Sequence, residues 1–506
     1  MILDTRNLPI LPVGWTVADL EQISEINPKI SADDYSEEID VSFVPMRCVE
    51  ELTGRIELSL KRKLSEVKKG YTSFTDGDLL FAKITPCMEN GKIAVVNDLT
   101  NGIGFGSTEF HVIRLHEVLP KHFAFYYLIQ EDLRKDAQRN MTGSAGQLRV
   151  PANYMRELIL PFPPLSEQQR IVDKIEELFT KLDAGVEALK KIKEQLKRYR
   201  QAVLKYAFEG KLTEEWREQH KGELEPASVL LERIKEERKK TLGKKYKELP
   251  PVDTSELPEL PDGWVWTRMI EISEKITDGT HHTPTYVSEG IPFISVKDIK
   301  NGMISFENCK FISEDEHNVL IKRCNPEYGD VLITKSGTIG RTAVVTTRDE
   351  FSLFVSVALI KPYKDFLDSN FIKFALDNYI NNIDIQQSVK GGVVKNLHIE
   401  DLKEINIITP SIEEQYKVVE EIQCHFSIAD EIEKTVDQSL KQSDRLRQSI
   451  LKKAFEGKLV HQDPFDEPAE LLLERIRAEK AAMEAEKKIT KKPRRKKADT
   501  RQGRLI

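Results

Sequence analysis

Four short strings in this 506-residue chain have residue types that catalysis or cofactor binding uses, and spacing decides what each can do. "GIGFGS", Gly102 to Ser107, has the glycines of a phosphate cradle, but it leads into the strand-like "EFHVIRL", so no helix N-terminus awaits an anion. "NPEY", Asn325 to Tyr328, is similar to the N-P-P-Y turn that holds an exocyclic amine during methyl transfer. Its second proline is replaced by glutamate, and it reads as a turn before a strand at 331 to 334. "KSGTIGRT" from Lys335 lacks the four intervening residues and the lysine of a nucleotide loop. "DGTHHTP" from Asp278 sets His281 beside His282 with no third ligand signalled nearby. No nuclease-type carboxylate and lysine cluster stands out, and no Ser, His, Asp constellation. The expectation is a chain without catalytic residues, without a metal site and without a cofactor of its own.

What remains is binding chemistry. Loops rich in Gly, Ser, Thr, Asn and Lys recur: "AKITPCMENGK" from Ala82, "RNMTGSAGQLR" from Arg139, "DGTHHTP", "TKSGTIGR" and "SVKGGVVKN". Backbone amides and small hydroxyls in such loops can approach phosphates, while Lys, Arg, Asn, Gln and His can address base edges. The candidate DNA contacts are Lys83, Asn90, Lys92, Ser144, Gln147 and Arg149 in the first half, and Thr280, His281, Lys335, Ser336, Thr338 and Arg341 in the second.

These loops sit on a duplicated chain. "LPVGWTVADL" from Leu11 answers "LPDGWVWTRM" from Leu260; "DGDLLFAKI" from Asp76 answers "YGDVLITKS" from Tyr328. "PLSEQQRIVDKIEELF" from Pro164 parallels "PSIEEQYKVVEEIQCHF" from Pro410. "RQAVLKYAFEGKL" at 200 to 212 and "RQSILKKAFEGKL" at 447 to 459 agree at ten of thirteen positions. "PASVLLERIKEE" from Pro226 and "PAELLLERIRAE" from Pro468 complete the series. The repeat order never changes, so the chain is two copies of one unit.

Each copy opens with short β-rich runs, turn residues and one helix-like stretch, which predicts an α+β globule. It then changes character. From Ile171 to Val203 apolar residues recur at steps of three and four, a coiled-coil seam that continues in the second copy through Val418, Ile422, Phe426, Ala429, Ile432, Val436, Leu440, Leu446 and Ile450. Ser166, with Gln169 three residues on, is the expected N-cap, and Gly210 the expected C-terminal stop. About 42 residues at 1.5 Å each predict a rod of roughly 60 Å that needs a partner, and the other copy is the obvious one. The predicted fold is α+β: two α/β globules separated by two long helices forming an antiparallel coiled coil, with an internal pseudo-two-fold repeat. The expected boundaries are 1 to 163 for the first globule, 164 to 245 for the central helical region, and 246 to 260 for a linker. The second globule is placed at 261 to 409, the second helical region at 410 to 486, and a basic, disordered tail at 487 to 506.

Composition sets the partners. The net charge is −7, yet residues 187 to 211 hold eight Lys or Arg against three Glu, and residues 487 to 504 hold ten against one Asp. Positive charge is therefore concentrated where an anion could meet it. No apolar run reaches the roughly 18 residues a membrane span needs, and the start has no export signal, so a cytoplasmic location without membrane contact is expected. Five scattered cysteines predict free thiols. On residues alone, a DNA-independent scaffold remains open beside a DNA reader; the missing methyl-donor loop argues against a methyltransferase.

The quoted motifs together resemble the specificity subunits of type I restriction-modification enzymes: "LPVGW" and "LPDGW", "GDLLFAKITPCMENGKIAVV", "GSAGQLRVP", "PFPPLSEQQRIVDKIEELF", "DGTHHTP", "GDVLITKSGTIG" and "RQAVLKYAFEGKL". The resemblance spans residues 11 to 486. It implies two target recognition domains, each reading one half of a bipartite, asymmetric double-stranded DNA sequence, and a non-catalytic chain active in phage defence. It also implies two methyltransferase subunits carrying S-adenosylmethionine for adenine modification, and two restriction and translocase subunits using ATP and Mg2+. The twinned "AFEGKL" blocks then become docking surfaces for the two methyltransferases, with Phe208, Glu209, Lys211, Phe455, Glu456 and Lys458 as the expected partner-binding residues.

Overall fold

Alternating apolar runs and turn residues build the same two layers in each copy. The structure is a computed structural model that describes residues 11–31, 35–144, 146–390 and 397–490. In the first copy a four-stranded antiparallel sheet has the order Ser24–Ile26, Phe110–Leu115, Leu79–Ala82, Ile93–Val95. In the second the order is Ser273–Asp278, Val357–Pro362, Val331–Thr334, Thr342–Val344. The central pairs are buried on both faces, as their continuous apolar runs require. A second four-stranded sheet accompanies each, with one parallel pair: Asp40–Val44 beside Ile103–Gly106, and Ile291–Ile294 beside Ser352–Leu353. The expected strand at 331 to 334 follows the "NPEY" turn.

The glycines of "GIGFGS" are a packing feature of that second sheet. A Cβ on Gly104 would stand 2.3 Å from the Phe74 ring, and one on Gly106 would stand 2.3 Å from the Val44 carbonyl oxygen. Only a hydrogen fits in either place.

Besides the helices within the globules, such as Lys121–Leu128 and Ser369–Lys390, each copy has a long and a shorter helix after its globule: α1 (Leu165–Phe208), α2 (Ala227–Leu242), α3 (Ile412–Phe455) and α4 (Ala469–Thr490). Helix α1 starts directly after Pro164, as expected, but its cap lies two residues before Ser166. The Pro164 carbonyl accepts the first helical hydrogen bond, from the Gln168 amide at 2.9 Å, so Pro164 and not Ser166 holds the cap position. Proline serves there because an N-terminal amide has no helical partner to lose. In α3 the cap is Ser411, whose hydroxyl accepts from the Glu414 amide at 3.2 Å.

The described residues divide into two compact units, one formed by those up to Ala188 together with those from Gln438, the other by Leu189–Asp437. Each unit therefore combines one globule with segments of both long helices. Within each the two helices run antiparallel. Asp183 meets Arg447 in the first unit; Lys193 meets Asp437 at 2.8 Å and Arg200 meets Glu433 at 2.9 Å in the second. Positions rise along one helix as they fall along the other.

The apolar seam is less continuous than its periodicity predicts. Ile171, Ile175, Leu196, Val203, Val418, Ile422, Ala429, Val436 and Ile450 are buried, but Tyr199, Ile432 and Leu446 are exposed, and Leu182, Val186, Leu189 and Ile192 are half-buried. A 3.5-residue pattern drifts around a 3.6-residue helix, and two helices alone cannot cover a full stripe. The part of the basic run that faces α3 is spent on ion pairs with it. The tail beyond Thr490 lies outside the described residues. All five cysteines are free thiols. Among the described residues no helix is long and apolar enough to cross a membrane.

Candidate nucleic-acid interface and helix termini

The two candidate lysines on the central strands occupy matching places. Lys83 follows strand Leu79–Ala82, and Lys335 follows strand Val331–Thr334. The Lys83 amide donates to the Glu109 carbonyl at 2.9 Å, and its own carbonyl accepts from the Val150 amide at 2.8 Å. The Lys335 amide donates to the Ser356 carbonyl and its carbonyl accepts from the Leu397 amide, both at 2.9 Å. One backbone frame thus presents a lysine at the same sheet end in both globules.

Their surroundings differ. In the first globule Arg149 forms a two-pronged pair with Glu109, at 2.8 and 2.9 Å. That guanidinium holds the Glu109 carboxyl below its ordinary value. Beside Lys83, His111 is buried, which lowers its pKa and keeps the ring neutral; its Nδ1 and Nε2 lie 3.1 Å from Asn27 and 2.8 Å from the Val150 carbonyl. Ser144 and Gln147 are exposed on the turn that leads into Arg149, with the Gln147 amide donating to the Ser144 carbonyl at 3.0 Å. Lys83, Ser144, Gln147 and Arg149 therefore belong to one edge. Asn90 and Lys92 turn to a different neighbour, the segment from Met46 to Glu51: Asn90 donates to Glu51 at 2.9 Å, and Lys92 to the Val49 carbonyl at 3.0 Å.

In the second globule the cluster is built on Asp278, which is 2 % exposed. Lys335 lies 2.6 Å from it, Arg323 lies 2.6 Å, and His281 Nε2 lies 3.2 Å. Burial alone would raise the Asp278 pKa, but the hydrogen bonds from Lys335 and His281 outweigh it and the net direction is down. Thr280 is tied elsewhere: its hydroxyl lies 2.7 Å from His282 Nδ1, and His282 turns to Glu316, 3.6 Å away. Gly279 has to be glycine here, since a Cβ would stand 2.0 Å from the Leu353 carbonyl oxygen. Ser336 is half-buried in the adjoining turn. Thr338 and Arg341 are exposed farther along it and tied to Thr334, which donates to the Thr338 carbonyl at 2.6 Å and accepts from the Arg341 amide at 2.9 Å. Arg323 belongs to no repeated motif, so no sequence signal marks it. Of "SVKGGVVKN", residues 391 to 396 lie outside the described residues.

The twinned "AFEGKL" blocks end the long helices identically. Gly210 and Gly457 have φ of 70° and 68°. The Lys211 amide donates to the Tyr206 carbonyl and the Gly210 amide to the Ala207 carbonyl, at 3.0 and 3.1 Å; Lys458 to Lys453 and Gly457 to Ala454 repeat this at 2.8 and 3.2 Å. This is a Schellman cap. A Cβ on Gly210 would stand 2.4 Å from Pro261 Cγ, and one on Gly457 2.2 Å from Pro12 Cγ. So the "EGK" of each copy seats against the "LPxGW" of the other.

The crossing extends further. The Ala227 amide at the start of α2 donates to the Gly263 carbonyl at 3.0 Å, and the Ala469 amide of α4 to the Gly14 carbonyl at 2.9 Å. Within each copy the same segment is fixed by its tryptophan: Trp264 donates to buried Glu414 at 2.7 Å, and Trp15 to buried Glu167 at 2.9 Å. Of the expected docking residues, Phe208 and Phe455 are buried, 5.3 Å from the Phe371 ring and 5.1 Å from the Phe123 ring. Each contributes about 1.5 to 3 kcal/mol of apolar burial within its own unit. The polar members stay at the surface, with Glu209 paired to Lys211 and Glu456 to Lys458, both at 2.7 Å.

Two repeated recognition-type globules joined to helices that close each copy on the other define a class of chain. The sequence profile of the type I restriction modification DNA specificity domain matches twice, over residues 12–198 and 261–442, and the chain belongs to that family. It is 32% identical over 434 residues to the EcoAI type I restriction enzyme specificity subunit of Escherichia coli, covering 74% of this chain and 71% of that one. It is 31% identical over 483 residues to the EcoEI specificity subunit of the same organism, covering 83% and 79%. A chain solved in describing complex assembly and conformational transition of the type I R-M system shares its fold, with a TM-score of 0.62 at 20% identity over 88% of this chain and 99% of that one.

Proposed function

We propose that this chain is the non-catalytic, DNA-reading subunit of a type I restriction-modification complex, each globule reading one half of a bipartite, asymmetric target. The observation that carries this is the matched presentation of Lys83 and Lys335 by the same backbone frame in two globules whose neighbouring side chains differ. A shared frame with divergent neighbours suits two heads that approach DNA alike and read different bases. The helices α1 and α3 fix the gap between half-sites, which follows helix length and the roughly 10.5 base pairs of a DNA turn. The exposed pairs Glu209–Lys211 and Glu456–Lys458 dock two methyltransferase subunits, and two restriction subunits complete the assembly. S-adenosylmethionine, ATP and Mg2+ belong to those partners in this reading.

Methylome sequencing of cells expressing the chain with its methyltransferase tests it. Because α1 is paired with α3, a turn inserted in residues 180 to 205 has to be matched by one in α3. The matched insertion is expected to change the spacer and leave both half-sites intact; altered half-sites with an unchanged spacer refute the proposal. Exchanging residues 1 to 150 for those of a relative is expected to change one half-site only.

A further inference from the structure

In the second unit two clefts run into one another. One lies between the turn at Asn301 and Gly302 and the hairpin at Gly340 and Arg341; the other lies between that hairpin and α1. Gly340 and Asp377 line both. Six cationic side chains face this groove against three carboxylates, Glu194, Asp377 and Glu433. Three of the six are committed: Lys193 to Asp437 at 2.8 Å, Arg200 to Glu433 at 2.9 Å, and Lys373 to Asp377 at 2.9 Å. Among the described residues Lys197 and Lys300 have no ion pair, and the Arg341 guanidinium donates only to the Ile299 carbonyl, at 3.2 Å. All three are exposed. At the shared point Ile380 packs against Gly340, where a Cβ would stand 2.6 Å from Ile380 Cγ2, so the hairpin is held against its own globule.

The matching cleft in the first unit has another character. It lies beside the corresponding turn at Leu52, which like Asn301 has a positive φ, 63° against 50°. Aromatic rings line it; Arg447 sits 4.3 Å over the Phe179 ring and is paired with Asp183. Its charged groups, Arg55, Glu176, Asp183 and Arg447, balance.

We propose that the groove from Lys300 through Arg341 to Lys197 binds DNA phosphates next to the half-site read by the second globule, and that the first unit has no counterpart. This rests on the DNA-reading function proposed above. DNA is favoured over an acidic protein because the groove begins on the hairpin that carries Lys335, Ser336 and Thr338, so a duplex read there continues into it. Phosphate contacts add affinity without sequence information, and each one lost lowers the slope of log K against log salt by about 0.9.

The test uses the full chain reconstituted with its methyltransferase subunits and a duplex carrying the methylome-defined target. Lys197→Gln with Lys300→Gln is expected to lower the salt slope by about 2 and leave the methylated sequence unchanged. Charge reversal at both positions is expected to weaken binding further, while Arg55→Gln in the first unit leaves the slope as it was. An unchanged slope in the double variant overturns the proposal. So does loss of methyltransferase co-purification at constant slope, which would assign the groove to a protein surface. If the unaltered complex shows no sequence-specific binding, the DNA-reading function itself fails.

Discussion

Glu414 and Glu167 occupy the same place in the two units, each buried under the tryptophan of "LPxGW", and they are satisfied very differently. Glu414 accepts from Trp264 at 2.7 Å, Thr213 at 2.8 Å and Arg217 at 2.8 Å. Glu167 accepts from Trp15 through one oxygen, and its other oxygen is buried without a hydrogen-bond partner among the described residues. The nearby Arg170 is turned to Asp466, 2.6 Å away. The repeat thus preserved the tryptophan, the glutamate and the glutamine that follows, Gln168 or Gln415, whose side chain donates to the Pro163 or Pro410 carbonyl. The balancing charge did not repeat. It comes from the segments after "AFEGKL", where "TEEWREQH" and "VHQDPFDEP" have diverged. The repeated frame of each unit is held by backbone caps and apolar packing, while each unit settles its buried charge locally.

The sharpest way to break this comparison is to remove the two carboxylates. Glu414→Ala strands a guanidinium, an indole N–H and a hydroxyl, and is expected to cost the second unit about 3 to 5 kcal/mol. Glu167→Gln keeps the bond from Trp15 and removes an underpaired charge, so at pH 7 it is expected to be neutral or mildly stabilising for the first unit. Hydrogen exchange read separately in the two units measures both. Equal losses would show that the second and third partners of Glu414, Thr213 and Arg217, are irrelevant.

The helix stops test the symmetric part. Gly210→Ala and Gly457→Ala each force a side chain into left-handed backbone, at about 1 to 2 kcal/mol, and each drives a methyl into a proline ring. Both are expected to cost at least that much, and alike. Pro12→Ala in the Gly457→Ala background is expected to recover the steric part only, seen as a partial return of the thermal midpoint. Unequal costs would mean that the twinned blocks do different structural work.

How far all this could be read from the sequence depends on the range of the interaction. Helix ends at Gly210 and Gly457, the strand after "NPEY" and the pairing of the two rods follow from local chemistry and periodicity, and the structure has them. Ser166 is not the cap because Pro164, two residues earlier, already holds that position. The crossing of the copies is not written in the repeats: "AFEGKL" and "LPxGW" are both visible, but nothing in either string says that Gly457 meets Pro12 and Gly210 meets Pro261. At the candidate interface the residue types were legible and the partners were not. Lys83 and Lys335 look equivalent in sequence, yet only Lys335 has Asp278, which arrives from a distant strand.

That lysine pair gives a smaller contrast. Lys335→Met leaves buried Asp278 to Arg323 and His281, and is expected to cost the second globule about 1 kcal/mol, near the lower range for losing one partner of a paired carboxylate. Lys83→Met is expected to leave the stability of the first globule unchanged, because the Lys83 ammonium makes no ion pair among the described residues. Chemical denaturation of both variants checks this. Comparable losses would indicate that Lys83 has a partner of equal worth.

The smallest effect is a pH dependence confined to the first unit. Burial, acting against the hydrogen bond from Trp15 and the charge of Arg170, raises the Glu167 pKa above its ordinary 4.5, with Asp466 pushing the same way as burial. The folded unit then holds that proton more tightly than the unfolded chain does. Stability attributable to Glu167 is present below about pH 4.5, declines as pH rises through the folded value, and is level above it. In Glu167→Gln this decline is absent, so the variant is expected to match the parent chain at low pH and gain on it through the titration. Tryptophan fluorescence of Trp15 followed through denaturant at a series of pH values measures the difference. A gap that narrows as pH rises would mean the carboxylate is better paired than the structure makes it, and the contrast with Glu414 would collapse.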